Sequence, residues 1–492
     1  MKRLRWFDYI NLNLFWLGLN IRNNSVNAIF MPYLVDMFVQ ESIKNTALGA
    51  MRTAGLLIAM VAQPAFGLLS DRSTSRWGRR RPYLLVGVLF DLVFLAAIGL
   101  SWNYWSLLVA TLLIQVSSNV SHGPLQGLIP DLVPEDQRGR ASAVKAIFEL
   151  LPLVLLGMTI AVLVSAGRLT LAIAATGGSL LIILVLTLIL VREEPLREKP
   201  TTPFWPPMLR VLGMLAGIAL GAVAGLIGGG LIGGLTGLIA WPLTANSPLA
   251  QAMGVGLGGI TAMAVAVIGG VWAGVWTTLG QEVRRQAAFT WWVVNRLMYL
   301  AAAVAIQSFA PFFLMYAFRV PREVAAGMNG RLMTMVGLCT LLSALPGGWL
   351  GDRLGHKRLV AFSGVLAAVG GAVLLTTIWT LNLALIYVVG AIIGLATGLF
   401  MTANWALGTE LVPPEEAGRY LGISNLAGAG AGMIGTGIGG PVADFMNHYR
   451  PGLGYFAIFA GYAVLFLLST VTVLGVRQGE DQSHTGPRAG QA

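Results

Sequence analysis

Apolar runs of about 20 residues, the length at which a helix crosses a bilayer, recur along this chain from one end to the other. They fall at about 11–35, 47–70, 83–101, 106–129, 141–165, 170–191, 211–241, 251–279, 288–316, 328–350, 359–377, 383–408, 420–443 and 453–476. Lipid offers a backbone no hydrogen bonds, so a run of this length satisfies its own polar groups by becoming a helix. A content of 56% hydrophobic and 11% charged residues excludes a water-soluble globule. The expected fold class is all-α: a polytopic integral membrane protein with 14 transmembrane helices.

The net charge of +11 is sorted by loop. Lys and Arg gather in alternate connections, and the positive-inside rule puts those connections and both termini in the cytoplasm. Met1-Lys2-Arg3-Leu4-Arg5 reads as a cytoplasmic start to the first helix, because no small-residue cleavage site follows it. The basic excess is a topology signal, and no nucleic-acid partner is expected. Cys339 is the single cysteine, which rules out an intramolecular disulfide. The sequence has no phosphate-cradling Gly-x-x-x-x-Gly-Lys-Ser/Thr loop, no Ser/His/Asp group and no metal-ligand cluster, so neither an enzyme nor a cofactor is expected.

A two-part signature occurs once in each half. Gly67-Leu68-Leu69-Ser70-Asp71-Arg72 leads to Gly78-Arg79-Arg80-Arg81, and Gly348-Trp349-Leu350-Gly351-Asp352-Arg353 leads to Gly355-His356-Lys357-Arg358. Asp131-Leu132-Val133-Pro134 runs to Gly139-Arg140, and Glu410-Leu411-Val412-Pro413 runs to Gly418-Arg419. Asp71 and Asp352 lie 281 residues apart, Asp131 and Glu410 279. Near-equal offsets mark a duplication, and duplicated membrane proteins are most often transporters. The expected organisation is a six-helix half over 1–191, a central cytoplasmic region over 192–287, a second six-helix half over 288–476 and a cytoplasmic tail over 477–492.

The central region carries an inserted hairpin of two spans, about 211–241 and 251–279. Its glycines fall at 213, 217, 221, 225, 229, 233 and 237, and Gly254, Gly258, Ala262, Ala266, Gly270 and Gly274 answer at the same spacing. Small residues every four positions let helices approach closely in lipid. The two helices are expected to pack on each other, with a dimer surface as the rival use. Neither carries a charge within its span, so no role in solute passage is expected.

The duplicated signature resembles that of the major facilitator superfamily, in which an Asp-Arg motif follows helices 2 and 8 of the core. Within it, Ser70 to Pro82 is similar to the corresponding loop of sucrose–proton symporters and of the wider glycoside–pentoside–hexuronide symporter group. The resemblance implies two rocking halves gated at the cytoplasmic face. The gating residues would be Gly67, Asp71, Arg72, Gly78, Arg79 and Arg80 in the first half, and Gly348, Asp352, Arg353 and Arg358 in the second. Physical chemistry offers a matching account: the loop arginines can pair with Asp71 and with Asp131, Glu135 or Glu149. Pairs that form only with the cytoplasmic side shut would bias a two-state switch. The alternative is that the arginines only fix topology.

Charges inside spans are costly and need a reason. Arg22 stands amid Asn20, Asn23, Asn24, Ser25 and Asn27 in the first span, and Arg296 lies about 12 Å into the core's seventh helix. The resemblance implies that core helices 1, 4, 7 and 10 line a central cavity, which both arginines would face. Glu149, on the fifth helix, is the acidic candidate for pairing with Arg22 or carrying a proton, and a permanent structural Arg–Glu pair is the alternative. Asp91 is expected against the loop arginines. Gln115, Asn119, Asn295, Gln307, Asn404 and Trp405 are further cavity candidates, since amides bond hydroxyls and an aromatic ring covers a sugar face. Where the sucrose symporters carry an acidic residue on helix 4, this chain has Gln115, which excludes proton transfer there. His122 is read as part of a helix bend beside Gly123-Pro124.

The expectation is therefore a secondary transporter for a small polar solute, which the resemblance implies is a sugar or glycoside, with protons or another cation as coupling partner. The other readings are an organic-anion or sugar-phosphate exchanger using Arg22 and Arg296, and a non-transporting receptor or lipid-handling protein.

Overall fold

The computed structural model describes residues 4–191, 193, 195, 204–280, 287–412 and 417–476. Pro413, the tail from 477, and Arg284 and Arg285 lie outside them, as do the side chains of Glu135 and Arg419. Among the described residues there are fourteen long helices and no strand. In chain order they begin with α1, Trp6–Asn24, which continues through a π-helical turn, Ser25–Phe30, into Met31–Phe38. Then come α2 Lys44–Ser70, α3 Arg81–Gly99, α4 Tyr104–Gln126, α5 Arg138–Met158 continuing as Ile160–Ser165, and α6 Leu169–Leu190. The hairpin is α7 Trp205–Thr244 and α8 Ser247–Leu279. The second half is α9 Ala287–Phe318, α10 Arg322–Leu354, α11 His356–Thr380, α12 Leu383–Glu410, α13 Ala417–Tyr449 and α14 Leu453–Thr472.

Eleven of these helices are long and apolar enough to cross a membrane. The three that fall short by composition are α1, α4 and α13. The first two carry the asparagines around Arg22 and the polar stretch from Gln115 to His122, and α13 is rich in glycine. Most helices also run past the apolar stretch that announced them, because a helix does not stop where the hydrocarbon does.

The duplication is visible in the packing. In the first half α1 packs on α5 and α6, α3 on α4 and α6, and α2 on α4. In the second half α9 packs on α13 and α14, α11 on α12 and α14, and α10 on α12. Adding eight to each label of the first set gives the second. The halves meet along two seams, α2 with α13 and α5 with α10, which the same correspondence interchanges.

Both seams are tight at the end of the molecule opposite the loop arginines, here called the far end. A Cβ added to Gly49 would stand 2.4 Å from the Thr436 carbonyl oxygen, and one on Gly440 2.5 Å from that of Asn45. On the other seam, a Cβ on Gly157 would come within 2.0 Å of the Gly330 carbonyl oxygen. Polar contacts reinforce the closure. Asp444 of α13 accepts from the backbone N–H of Thr46 at 2.7 Å and the side-chain amide of Asn45 at 2.7 Å. Tyr33 donates to Glu323 at 2.9 Å, and Asn329 donates to the carbonyl of Ala28 at 3.0 Å.

The hairpin packs on itself through the predicted small-residue faces. A Cβ on Gly221 would meet the Gly270 backbone at 2.1 Å, and one on Gly229 the Gly258 carbonyl at 2.4 Å. These glycines are needed because backbone lies directly against backbone. The pair docks over one seam only: α8 lies against α13, α9 and α14, and α7 touches α2.

Candidate functional site

At the basic end the α2–α3 loop closes on itself. Gly78 turns the chain at φ 108°, a conformation that suits glycine, and brings Arg79 and Arg80 back toward α2. The Arg80 guanidinium reaches Asp71 at 2.6 Å, Asp131 at 3.0 Å and the Ser70 hydroxyl at 2.5 Å. Arg79 pairs with Asp131 at 2.5 Å and approaches Asp71 at 3.7 Å. Gly67 keeps α2 close to Gly123 of α4, and Arg72 stacks over Phe204 at 5.3 Å. Glu193 accepts from the backbone N–H groups of Arg80 and Arg81. Burial pushes its carboxyl above the ordinary range, and those two N–H groups oppose the rise.

The second copy is looser. Asp352 is 77% exposed and lies 3.5 Å from His356, which takes the place of an arginine and bonds Glu410 at 2.6 Å. Arg353 stacks over Trp349 at 4.1 Å, Arg358 is exposed, and Gly348 sits against Thr402 of α12. Histidine is charged only when protonated, so the two loops are not electrically equivalent.

Within the first half the structure corrects two expectations. Arg22 is not paired with Glu149: it meets Asp91 of α3 at 3.0 Å, with both side chains at most 1% exposed. Asp91 therefore lies on Arg22 and away from the loop arginines; Ser118 bonds Arg22 and Ser117 bonds Asp91, while Arg22 Nε keeps no acceptor. A buried ion pair needs this geometry and these extra bonds to offset its desolvation. Arg22 is thereby neutralised and does not present a free charge to a cavity. Glu149 instead pairs with Lys145 one helical turn away at 3.5 Å and is 38% exposed, while Lys145 sits 4.1 Å over the Trp16 ring. His122 meets the same ring edge-to-face at 5.3 Å.

The polar residues of α1 and α4 form small clusters. Asn27 donates to the Asn23 carbonyl at 2.8 Å, and Asn119 to that of Gln115 at 2.7 Å. The Gln115 amide lies against Gly55 of α2, where a Cβ would come within 3.1 Å of it. The π turn at Ser25–Phe30 loosens the α1 backbone, and two of its carbonyls take donors from outside: Ala28 from Asn329, and Asn27 from Arg52. Arg52 also donates to the Ser308 hydroxyl of α9 at 2.5 Å, so it reaches across the halves.

On the second half, Arg296 is 8% exposed. Its guanidinium bonds the Asn404 side-chain Oδ1 at 3.1 Å and stacks 5.2 Å over Trp405. Asn404 donates to Asn295 at 2.8 Å, and Asn295 to the Ser469 backbone at 2.7 Å, which fixes the arrangement from α9 through α12 to α14. Gln307 falls elsewhere, lining a small apolar pocket with Ile306 and Phe459 inside the second half. The structure thus brings Arg296, Asn404 and Trp405 together, and separately Asn23, Asn27 and Arg52.

Arg52 was missed by sequence reasoning, although it lies inside the apolar run 47–70 and a charge in such a run is itself a signal. Arg331 was missed in the same way, but it lies exposed on a face of α10 that it shares with Leu338 and Leu342. An arginine at the centre of a spanning helix costs about 2.5–3.5 kcal/mol on insertion scales. Arg22 offsets this with Asp91. Among the described residues neither Arg52 nor Arg296 has a carboxylate partner, and the Nε of each is buried without an acceptor.

Sequence comparison agrees with the two-half build. Residues 16–216 match the profile of the MFS/sugar transport protein family, and residues 292–491 that of the Major Facilitator Superfamily. The sucrose transport protein SUT1 of Oryza sativa subsp. japonica is 27% identical over 139 residues, 24% of this chain and 25% of that protein. An uncharacterized symporter of Synechocystis sp. is 26% identical over 220 residues, 40% of each chain. The matches therefore span about a quarter to two fifths of the curated relatives' length. A peptide transporter POT, solved in complex with sulfate, superposes with a TM-score of 0.66 at 15% identity, covering 97% of this chain and 96% of that one. At that identity the likeness is one of fold.

Proposed function

We propose that this chain, which belongs to the major facilitator superfamily, is a secondary transporter that moves a small polar solute by alternating access. The superfamily is not one of enzymes. The observation that carries the reading is the pair of interchangeable seams, both tight at the far end. Two similar halves hinged on such seams can rock, closing one end as the other opens.

The basic end is assigned to the cytoplasm with both termini, on the distribution of Lys and Arg. The halves are 1–191 and 288–476, joined through 192–287. In the state described the outer side is shut, so the solute path faces the cytoplasm. The Asp71–Arg80–Asp131 cluster and its looser counterpart at Asp352 act on the cytoplasmic opening.

The solute is a sugar or glycoside, a reading supported by the sugar-transport profile over the first half and by the sucrose-transporter relatives. Asn23, Asn27, Gln115 and Asn119 supply amides for hydroxyl groups, and Trp405 supplies a ring face. Glu149 is the coupling carboxylate: it is solvent-reachable and can exchange its Lys145 partner for a proton. Uptake of labelled sucrose into proteoliposomes, with and without an inward proton gradient, tests this. Gradient-driven uptake that Glu149→Gln abolishes is expected; gradient-driven uptake that survives in that variant removes Glu149 from the coupling.

A further inference from the structure

We propose that the transported solute carries an anionic group, and that Arg52 receives it at the outer end of the path while Arg296 meets it nearer the cytoplasm. This rests on the transporter reading and narrows its substrate to an acidic polyol, such as a sugar acid.

The argument begins with a charge count inside the spanning helices. Arg22 is cancelled by Asp91, and Lys145 by Glu149. Arg331 stands exposed on a helix face, where a long side chain can extend toward the membrane surface. Arg52 and Arg296 are the cations left, and the buried Asp444 of α13 faces Asn45 and Thr46 rather than either of them. Their partners are neutral: a hydroxyl and a backbone carbonyl for Arg52, an amide oxygen and an indole face for Arg296. Neutral acceptors orient a guanidinium without cancelling its charge. A neutral sugar would need only the amides and the indole. Two uncancelled cations in the membrane interior are accounted for if the cargo brings the negative charge.

The geometry adds an order of events. Ser308 and Arg296 sit on the same helix, twelve residues apart, which is about 18 Å along its axis. Arg52 donates to Ser308 of the second half and to Asn27 of the first. When the outer end opens, α2 and α9 part and the Arg52–Ser308 bond must break. The guanidinium then faces solution entering from outside, with Nη1 free to donate a charge-assisted hydrogen bond to a carboxylate or phosphate oxygen. Closure of the outer end restores Ser308 as the partner and displaces the anion toward Arg296.

The test uses purified full-length protein in liposomes and three labelled probes: sucrose, glucuronate and glucose 6-phosphate. Glucuronate or glucose 6-phosphate uptake is expected, at least tenfold faster than sucrose, and the faster of the two assigns carboxylate or phosphate. Arg52→Gln and Arg296→Gln are each expected to reduce it tenfold or more, with partial recovery in Arg52→Lys, a variant that keeps the charge and controls for misfolding. Sucrose uptake that neither acid inhibits overturns this inference and leaves the transporter reading standing. Absence of flux for all three overturns both. Anion uptake that survives undiminished in Arg52→Gln removes Arg52 from the path.

Discussion

Asp444→Ala should shift the molecule toward its outward-open form by about 30-fold. The Asp444 carboxylate belongs to α13, yet its partners belong to the first turn of α2: the N–H of Thr46 at 2.7 Å, the N–H of Asn45 at 3.3 Å and the Asn45 amide at 2.7 Å. It thus caps a helix of the opposite half, and at 7% exposed it is little screened by solvent. Hydrogen bonds to a charged group contribute about 1.5–3 kcal/mol net, and a charge at a helix N-terminus adds about 0.3–1 kcal/mol. Opening the outer end separates the partners, and water then serves the freed N–H groups, so the contribution belongs to the closed state alone. A loss of about 2 kcal/mol, at 1.4 kcal/mol per factor of ten, gives the 30-fold change. Spin labels on Glu41→Cys and Arg450→Cys, both exposed at the far end and on opposite halves, report the two populations by electron–electron resonance after Cys339→Ser removes the native thiol. An open-to-closed ratio that moves less than threefold would refute the cross-half cap as a source of closure.

Other perturbations follow from the same contacts. Asp91→Asn leaves Arg22 buried without a counter-charge and should cost about 3–5 kcal/mol, read as a large fall in melting temperature, with the Arg22→Gln/Asp91→Asn double variant recovering part of it. Arg80→Gln should slow transport at least tenfold while Arg353→Gln has a smaller effect, because Arg80 joins two carboxylates and a hydroxyl whereas Arg353 rests on Trp349; equal effects in flux assays would show the two loops to be equivalent. Gly157→Leu should hold the α5–α10 seam apart and abolish closure of the outer end, seen as a permanently long spin-label distance in folded protein. Gly221→Leu should separate α7 from α8 and lower thermal stability while the core seams persist.

The fold was largely legible because its signals are long-range and redundant. Apolar run length is plainest for the eleven helices other than α1, α4 and α13, and two motif copies at one offset announced the halves before any contact was known. The four-residue glycine spacing also specified a backbone-to-backbone contact, which Gly221 and Gly270 make. The site was less legible, because partner choice inside a membrane depends on which helix faces which. Glu149 lies on α5, which packs on α1, yet the Arg22 side chain reaches Ser118 of α4 and Asp91 of α3 instead. Arg52 escaped notice because the run around it is apolar enough to hide one charge, and its partners are a carbonyl and a hydroxyl that no pattern marks. No sequence motif marks Asp444; only the meeting of α13 with α2 makes it a cap.

Rocking of the halves about the far-end seams can be tested with one cross-link. A Cβ on Gly437 of α13 would stand 3.9 Å from that of Thr53 on α2, within the about 3.5–4.5 Å that a disulfide requires. Thr53→Cys/Gly437→Cys in a Cys339→Ser background should therefore oxidise readily in the outward-closed state. Uptake of the labelled solute into proteoliposomes should stop on oxidation and return on reduction. Uptake that continues at full rate through a verified cross-link would contradict alternating access in this protein.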